Sequence, residues 1–96
     1  MKIGIAGLGL IGGSFARALA ESGKHEIFGL DRNRSSLLAA KMVEAINDEL
    51  TEENIGDCDM ILIALYPKAT VEFVEKYADK ILHIGKDSAF FGSAED

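Results

Sequence analysis

Apolar residues in this chain fall into short unbroken runs separated by amphipathic stretches, and the alternation predicts the order of its elements. Lys2 to Ala6 reads as a strand, apolar at nearly every position, as expected where helices cover both faces of a sheet. After a cluster of glycines, Ile11, Phe15, Ala18, Leu19 and Ser22 recur at helical spacing, and Gly23 closes that helix as a C-cap. Glu26 to Leu30 is a second strand, ending at Asp31. Ser35 or Ser36 caps a second helix through about Met42, with Leu37, Leu38 and Ala40 along it. Ala45-Ile46 is at most a stub of a third strand. Asp59 to Leu65 is the clearest strand, and Pro67 directly after it starts a helix, where its missing N–H is not needed. That helix runs to about Ala78, with Val71, Val74 and Ala78 inward and Glu72, Glu75, Lys76 and Asp79 outward. Ile81 to Ile84 completes about five strands. Regular strand–helix alternation predicts an α/β fold, a doubly wound Rossmann-type parallel sheet in a single domain.

Length and charge narrow the function. Ninety-six residues hold one core and little more, since a chain of this size buries somewhat over ~60% of its unfolded surface. A composition of 48% apolar and 27% charged residues is ordinary for a globular domain and argues against disorder. A net charge of −6 disfavours nucleic acid as a partner. Six of the sixteen acids lie between Asn47 and Asp59, and the other ten balance the ten Lys and Arg; the acidic stretch reads as a solvated connection. The N-terminus imitates a signal peptide, with Lys2, an apolar run and Ala18-Leu19-Ala20, but five glycines and Arg17 interrupt it. No stretch approaches the ~18 consecutive apolar residues of a membrane span. The single Cys58 excludes a disulfide framework and suits a reducing compartment. A cytoplasmic location and no metal site are the expectations.

The chemistry centres on Gly7-Leu8-Gly9-Leu10-Ile11-Gly12, a G-x-G-x-x-G spacing. Such a run is weak by itself, but this one follows a predicted strand, opens a predicted helix and sits in a βαβ unit of about thirty residues. Gly7 permits the tight turn off the strand, Gly9 lets a pyrophosphate approach the backbone, and Gly12 lets helix and strand pack closely. The N–H groups of Leu10, Ile11 and Gly12 then point at the anion, aided by the helix dipole. Asp31 stands 24 residues after Gly7, where an acid accepts both ribose hydroxyls of NAD and repels the 2′-phosphate of NADP. Arg32 and Arg34 count the other way, because a nearby Arg accommodates that phosphate; Arg32 is equally suited to lie flat on the adenine. NAD is the expected cofactor, NADP the less favoured one.

These residues resemble a family. Lys2 to Ser14, with Gly-Leu-Gly-Leu-Ile-Gly-Gly-Ser at its centre, looks like the opening of prephenate and arogenate dehydrogenases, the NAD(P)-dependent enzymes that oxidatively decarboxylate prephenate or arogenate on the route to tyrosine. Phe28 to Asn33 is similar to that family's second strand and its ribose-binding acid. Ala64 to Thr70 resembles its fourth strand and the following Pro, which implies that Leu65, Tyr66, Pro67 and Thr70 lie along the cofactor. Tyr66 touches the cofactor or merely covers the helix start. The resemblance covers residues 1–84 as a dinucleotide-binding domain and leaves 85–96 as a tail that does not match.

Two departures matter. The family usually has Gly where the second helix ends, and here Glu44 stands near that point. The family also continues to a catalytic His and a helical dimerisation domain, and nothing in Gly85 to Asp96 takes that place. His25 and His83 read as packed or edge histidines, and Cys58, between two acids, as a poor nucleophile. The expectation is therefore the NAD-binding domain of a prephenate dehydrogenase-like oxidoreductase without its catalytic half, taking prephenate or arogenate only if that half is present. The alternative is a stand-alone, non-catalytic NAD-binding or regulatory module. A methyltransferase using S-adenosylmethionine fits less well, since that ligand lacks the pyrophosphate the glycine spacing favours. Phe90 and Phe91, in so short a tail beside a sheet edge, predict a homodimer.

Overall fold

A computed structural model describes residues 1–81 together with 90–91. Five parallel strands are described: β1 (Lys2–Ala6), β2 (Glu26–Leu30), β3 (Asp48–Glu49), β4 (Met60–Ile63) and β5 (Phe90–Phe91), in the spatial order β3-β2-β1-β4-β5. Three helices connect them: α1 (Leu10–Glu21), α2 (Arg34–Met42) and α3 (Pro67–Ile81). β1 lies at the centre, with Ile5 opposite Gly29 on one side and Leu62 on the other. Strand order reverses between β1 and β4, and in such sheets the crevice at the carboxyl ends of the strands at that reversal is the ligand site.

The two faces of the sheet carry separate cores. Ile3, Ile5, Ile27 and Leu62 pack with Ala16 of α1 and Leu37 of α2. Ala6, Phe28, Ile61 and Ile63 pack with Phe73 and Ile81 of α3. Helices thus cover both faces, which is why the strands read as continuous apolar runs.

β1 and β2 have the predicted bounds, and β4 lies within its predicted segment. The helix faces differ. α1 turns Ala16, Gly12 and, in part, Leu19 inward, leaving Phe15 48% exposed and Ala18 in solvent. Two small residues one turn apart let the helix axis approach the sheet, and that approach sets its rotation. On α3 the inward residues are Phe73, Tyr77 and Ile81, while Val71 and Val74 are 56% and 38% exposed. The Phe73 and Tyr77 rings meet at 5.0 Å, and their i, i+4, i+8 stripe carries the helix on through Ile81.

Caps and edges were also partly misplaced by local reading. Gly23 does follow α1 in the left-handed region at φ 69°, its N–H donating to Ala20 O at 3.1 Å. Asn33, not Ser35 or Ser36, caps α2: its Oδ1 accepts from both serine N–H groups at 2.9 and 3.3 Å. After α2, Glu44 takes up a left-handed φ of 58°, so the turn forms at this position with a non-glycine residue. β3 is Asp48–Glu49 rather than Ala45-Ile46, whose side chains are buried in the core instead. β5 is drawn from Phe90–Phe91, opposite Ile61 and Leu62. Ile81 is helical, and the remainder of the predicted fifth strand, 82–84, lies outside the described residues.

Candidate functional site

The turn from β1 into α1 is built by removing side chains. Gly7 sits at φ 96°, a region costly for any other residue, and its N–H donates to Leu30 O at 2.7 Å. A Cβ on Gly7 would run into the carbonyl oxygen of Ala64, and one on Gly12 into the carbonyl oxygen of Gly7. Both glycines are therefore demanded by the protein's own packing. Gly9 is different: nothing lies within 4 Å of where its Cβ would stand. Gly9 is the N-cap of α1 and offers no side-chain oxygen to the leading N–H groups; the first bond back to it comes from Gly13, at 2.8 Å. Open space above an uncapped helix start is the arrangement that cradles an anion.

Asp31 stands just past β2 and ties that strand to the turn. Its Oδ2 accepts from Leu8 N–H at 2.8 Å and its Oδ1 from Asn33 N–H at 2.8 Å. Each carboxylate oxygen keeps a further lone pair on which a ribose hydroxyl can donate. Local reading missed Leu8: it is buried, and its backbone anchors the acid from inside the glycine run. An apolar residue between two glycines was the available signal. Arg32 is exposed, and Arg34, at the start of α2, reaches Glu49 Oε2 of β3 at 3.3 Å.

The turn from β4 into α3 lies against the first one through Ala64, whose Cβ is 3.3 Å from the position a Gly12 Cβ would occupy. Here side chains do the shaping. The Thr70 hydroxyl lies 3.1 Å from both Leu65 O and Tyr66 O, donating back onto the turn it follows. Leu65 is half-buried, while Pro67 and, at 61%, Tyr66 are exposed. The two turns thus meet at one end of the sheet, with Gly7 and Gly12 leaving no room for a side chain against Ala64, and Asp31 is bonded to Leu8. Thr70 is engaged within its own turn.

The excluded nucleophile lies at the other end. Cys58 is 4% exposed, and its thiol is pushed up to about 11, first by burial and then by Asp57 and Asp59. Sequence reading anticipated the acids but not the larger cause. His25 precedes β2 half-buried, its Nδ1 without a hydrogen-bond partner among the described residues; His83 lies outside them.

The strand order, the glycine turn and Asp31 together define a dinucleotide-binding domain of the Rossmann class. The family described as NADP oxidoreductase, coenzyme F420-dependent, matches residues 2–83, and the chain belongs to it. In structure the chain is similar to the arogenate dehydrogenase of Synechocystis, at 25% identity and TM-score 0.77, over 94% of this chain and 31% of that one. It is similar also to the prephenate dehydrogenase from A. aeolicus, solved in complex with hydroxyphenyl propionate and NAD+, at 25% identity and TM-score 0.70, over 99% and 33%. A Streptomyces aurantiacus imine reductase, 19% identical with TM-score 0.67 over 84% and 29%, shares the fold. The chain spans about a third of the length of these structures. No curated protein matches the sequence significantly. Among the described residues, no helix is long and apolar enough to cross a membrane.

Proposed function

We propose that this chain is the NAD-binding domain of an oxidoreductase of the prephenate and arogenate dehydrogenase type, with NAD preferred over NADP. The observation that carries the reading is Asp31, a half-buried carboxylate bonded to Leu8 N–H beside the open glycine turn. The leading N–H groups of α1 hold the pyrophosphate, Asp31 takes the ribose hydroxyls, and Arg32 flanks the adenine. Leu65, Tyr66 and Pro67 line the path toward the nicotinamide, and Thr70 keeps that turn in shape. When bound, NAD supplies a hydride acceptor; the protein's share is to hold it in one orientation at the sheet's carboxyl end.

Prephenate or arogenate is the proposed substrate class, supported by the two dehydrogenases of like structure. The 96-residue chain is expected to bind cofactor without turning over either substrate. Residues 1–84 are proposed as the cofactor domain. The cytoplasm is the proposed location, in keeping with one free, buried cysteine. Association into a homodimer is proposed through β5, the outermost described strand on its side of the sheet; light scattering over a concentration series checks it, and a monomer throughout would remove it.

Calorimetry with NAD and NADP tests the main reading. Tighter binding of NADP would overturn the role given to Asp31, and binding of neither would overturn the reading itself. NADH absorbance with prephenate or arogenate tests the expected inactivity.

A further inference from the structure

Two cationic side chains near Asp31, those of Arg32 and Arg34, bear on the choice between NAD and NADP, and the structure treats them differently. Arg34 is drawn across to β3, where its Nη1 lies 3.3 Å from Glu49 Oε2. Glu49 is well placed for this. Its backbone is paired with Gly29, two residues before Asp31. Its N–H is held by Asp48 Oδ1 at 2.8 Å and its carbonyl by Asn54 Nδ2 at 3.0 Å, so the strand segment carrying the carboxylate is pinned. The start of α2 offers a phosphate little else, because Asn33 Oδ1 already accepts from Ser35 and Ser36 N–H.

Resting on the cofactor reading above, we propose that Glu49 is a second specificity-determining residue, favouring NAD by holding and neutralising Arg34. A 2′-phosphate entering beside Asp31 must compete with the Glu49 carboxylate for that guanidinium. NAD, with an uncharged 2′-hydroxyl, makes no demand on Arg34. Glu49 acts through Arg34 and so is a positioning residue. Sequence inspection hides it in an acidic stretch that reads as a solvated connection.

The ratio of NADP to NAD affinity is the readout, measured by calorimetry on the 96-residue chain. Both side chains are substantially exposed, at 67% for Arg34 and 36% for Glu49, so Glu49→Gln leaves the fold intact, which a melting curve verifies. The expected result is a ~5–10-fold gain in NADP affinity with NAD changed less than ~2-fold, the gain shrinking as added salt screens the exposed charges. In an Arg34→Gln background the same substitution is expected to change the ratio less than ~2-fold, since the cation it frees is absent. An unchanged ratio in Glu49→Gln, with NAD still bound, overturns this inference and leaves the cofactor reading standing. A gain that persists without Arg34 overturns the route through Arg34. Failure of the unaltered chain to bind either nucleotide removes the cofactor reading and this inference together.

Discussion

The two ends of the sheet are built on opposite plans. At the amino ends of β1 to β4, the entries are stapled to their neighbours. Lys2 N–H donates to Asp59 Oδ2 at 2.8 Å and Asp59 N–H to Lys2 O at 2.7 Å. Ile27 N–H donates to Asn47 Oδ1 and Asn47 N–H to Ile27 O, both at 2.7 Å. Glu26 N–H closes onto Met1 O at 2.9 Å. A depression of about 610 Å³ at this end is lined by Met1, Lys2, Lys24, Glu26, Asp57 and Asp59, without the apolar walls of a ligand pocket. At the carboxyl ends the backbone is left open: α1 starts uncapped, space stands above Gly9, and Tyr66 is exposed. At the amino ends backbone N–H groups are paired across neighbouring strands, whereas at the carboxyl ends the leading N–H groups of α1 have no side-chain cap. Stability and binding should therefore separate by end under mutation.

Gly12→Ala breaks the separation, because this glycine belongs to both the packing and the site. The new Cβ overlaps Gly7 O, and overpacking of that kind costs about 3 kcal/mol, a large part of a small domain's stability. Thermal melting should show a loss of roughly 12–24 °C, with cofactor binding lost as well.

Gly9→Ala and Asn47→Ala sharpen it from the two sides. The Gly9 substitution meets nothing in the protein, so the melt should be unmoved while NAD affinity falls ~10-fold or more, about 1.4 kcal/mol. A shifted melt with intact binding would reverse the assignment of the open end. Asn47→Ala orphans the N–H of buried Ile27 and should cost about 1–2 kcal/mol by denaturant titration, leaving NAD affinity unchanged.

Cys58 tests the closed end by pH. Its thiol is raised from an ordinary 9.0 to about 11, so the stability this group contributes is complete below 9.0 and is lost as pH climbs through about 11. Melting curves across that window should fall more steeply for the native chain than for Cys58→Ala, and thiol reagents at pH 8 should react slowly until the chain unfolds. The smallest effect is expected at Glu44. Replacing it with Gly relieves a left-handed φ of 58° and should raise stability by up to about 1 kcal/mol, partly offset by the greater freedom of glycine when unfolded.

Much of this molecule is legible along the chain because its signals are local. An apolar run bounded by glycine or Asp31 is a strand wherever it lands, and Gly7 and Gly12 are dictated by backbone within a few residues or one strand away. Asp31 was legible from its distance to the glycines alone. Its bond to Leu8 was not, since that needs β1 and β2 side by side in register. The rotation of α1 and α3 was misjudged for a related reason. A helical period marks a stripe, but small residues such as Gly12 and Ala16 face inward only once a particular sheet lies beneath them. The third strand went to Asp48–Glu49 because pairing with β2, not apolar content, defines a strand at an edge. The pairing of Arg34 with Glu49 joins residues fifteen apart that no spacing rule connects. The sequence by itself determined the central strands β1, β2 and β4, the three helices and the glycine turn between β1 and α1, because those depend on backbone chemistry over a few residues. Tertiary structure alone decided which faces turn inward, which strands form the edges and which charges meet, because each depends on surfaces brought together from distant parts of the chain.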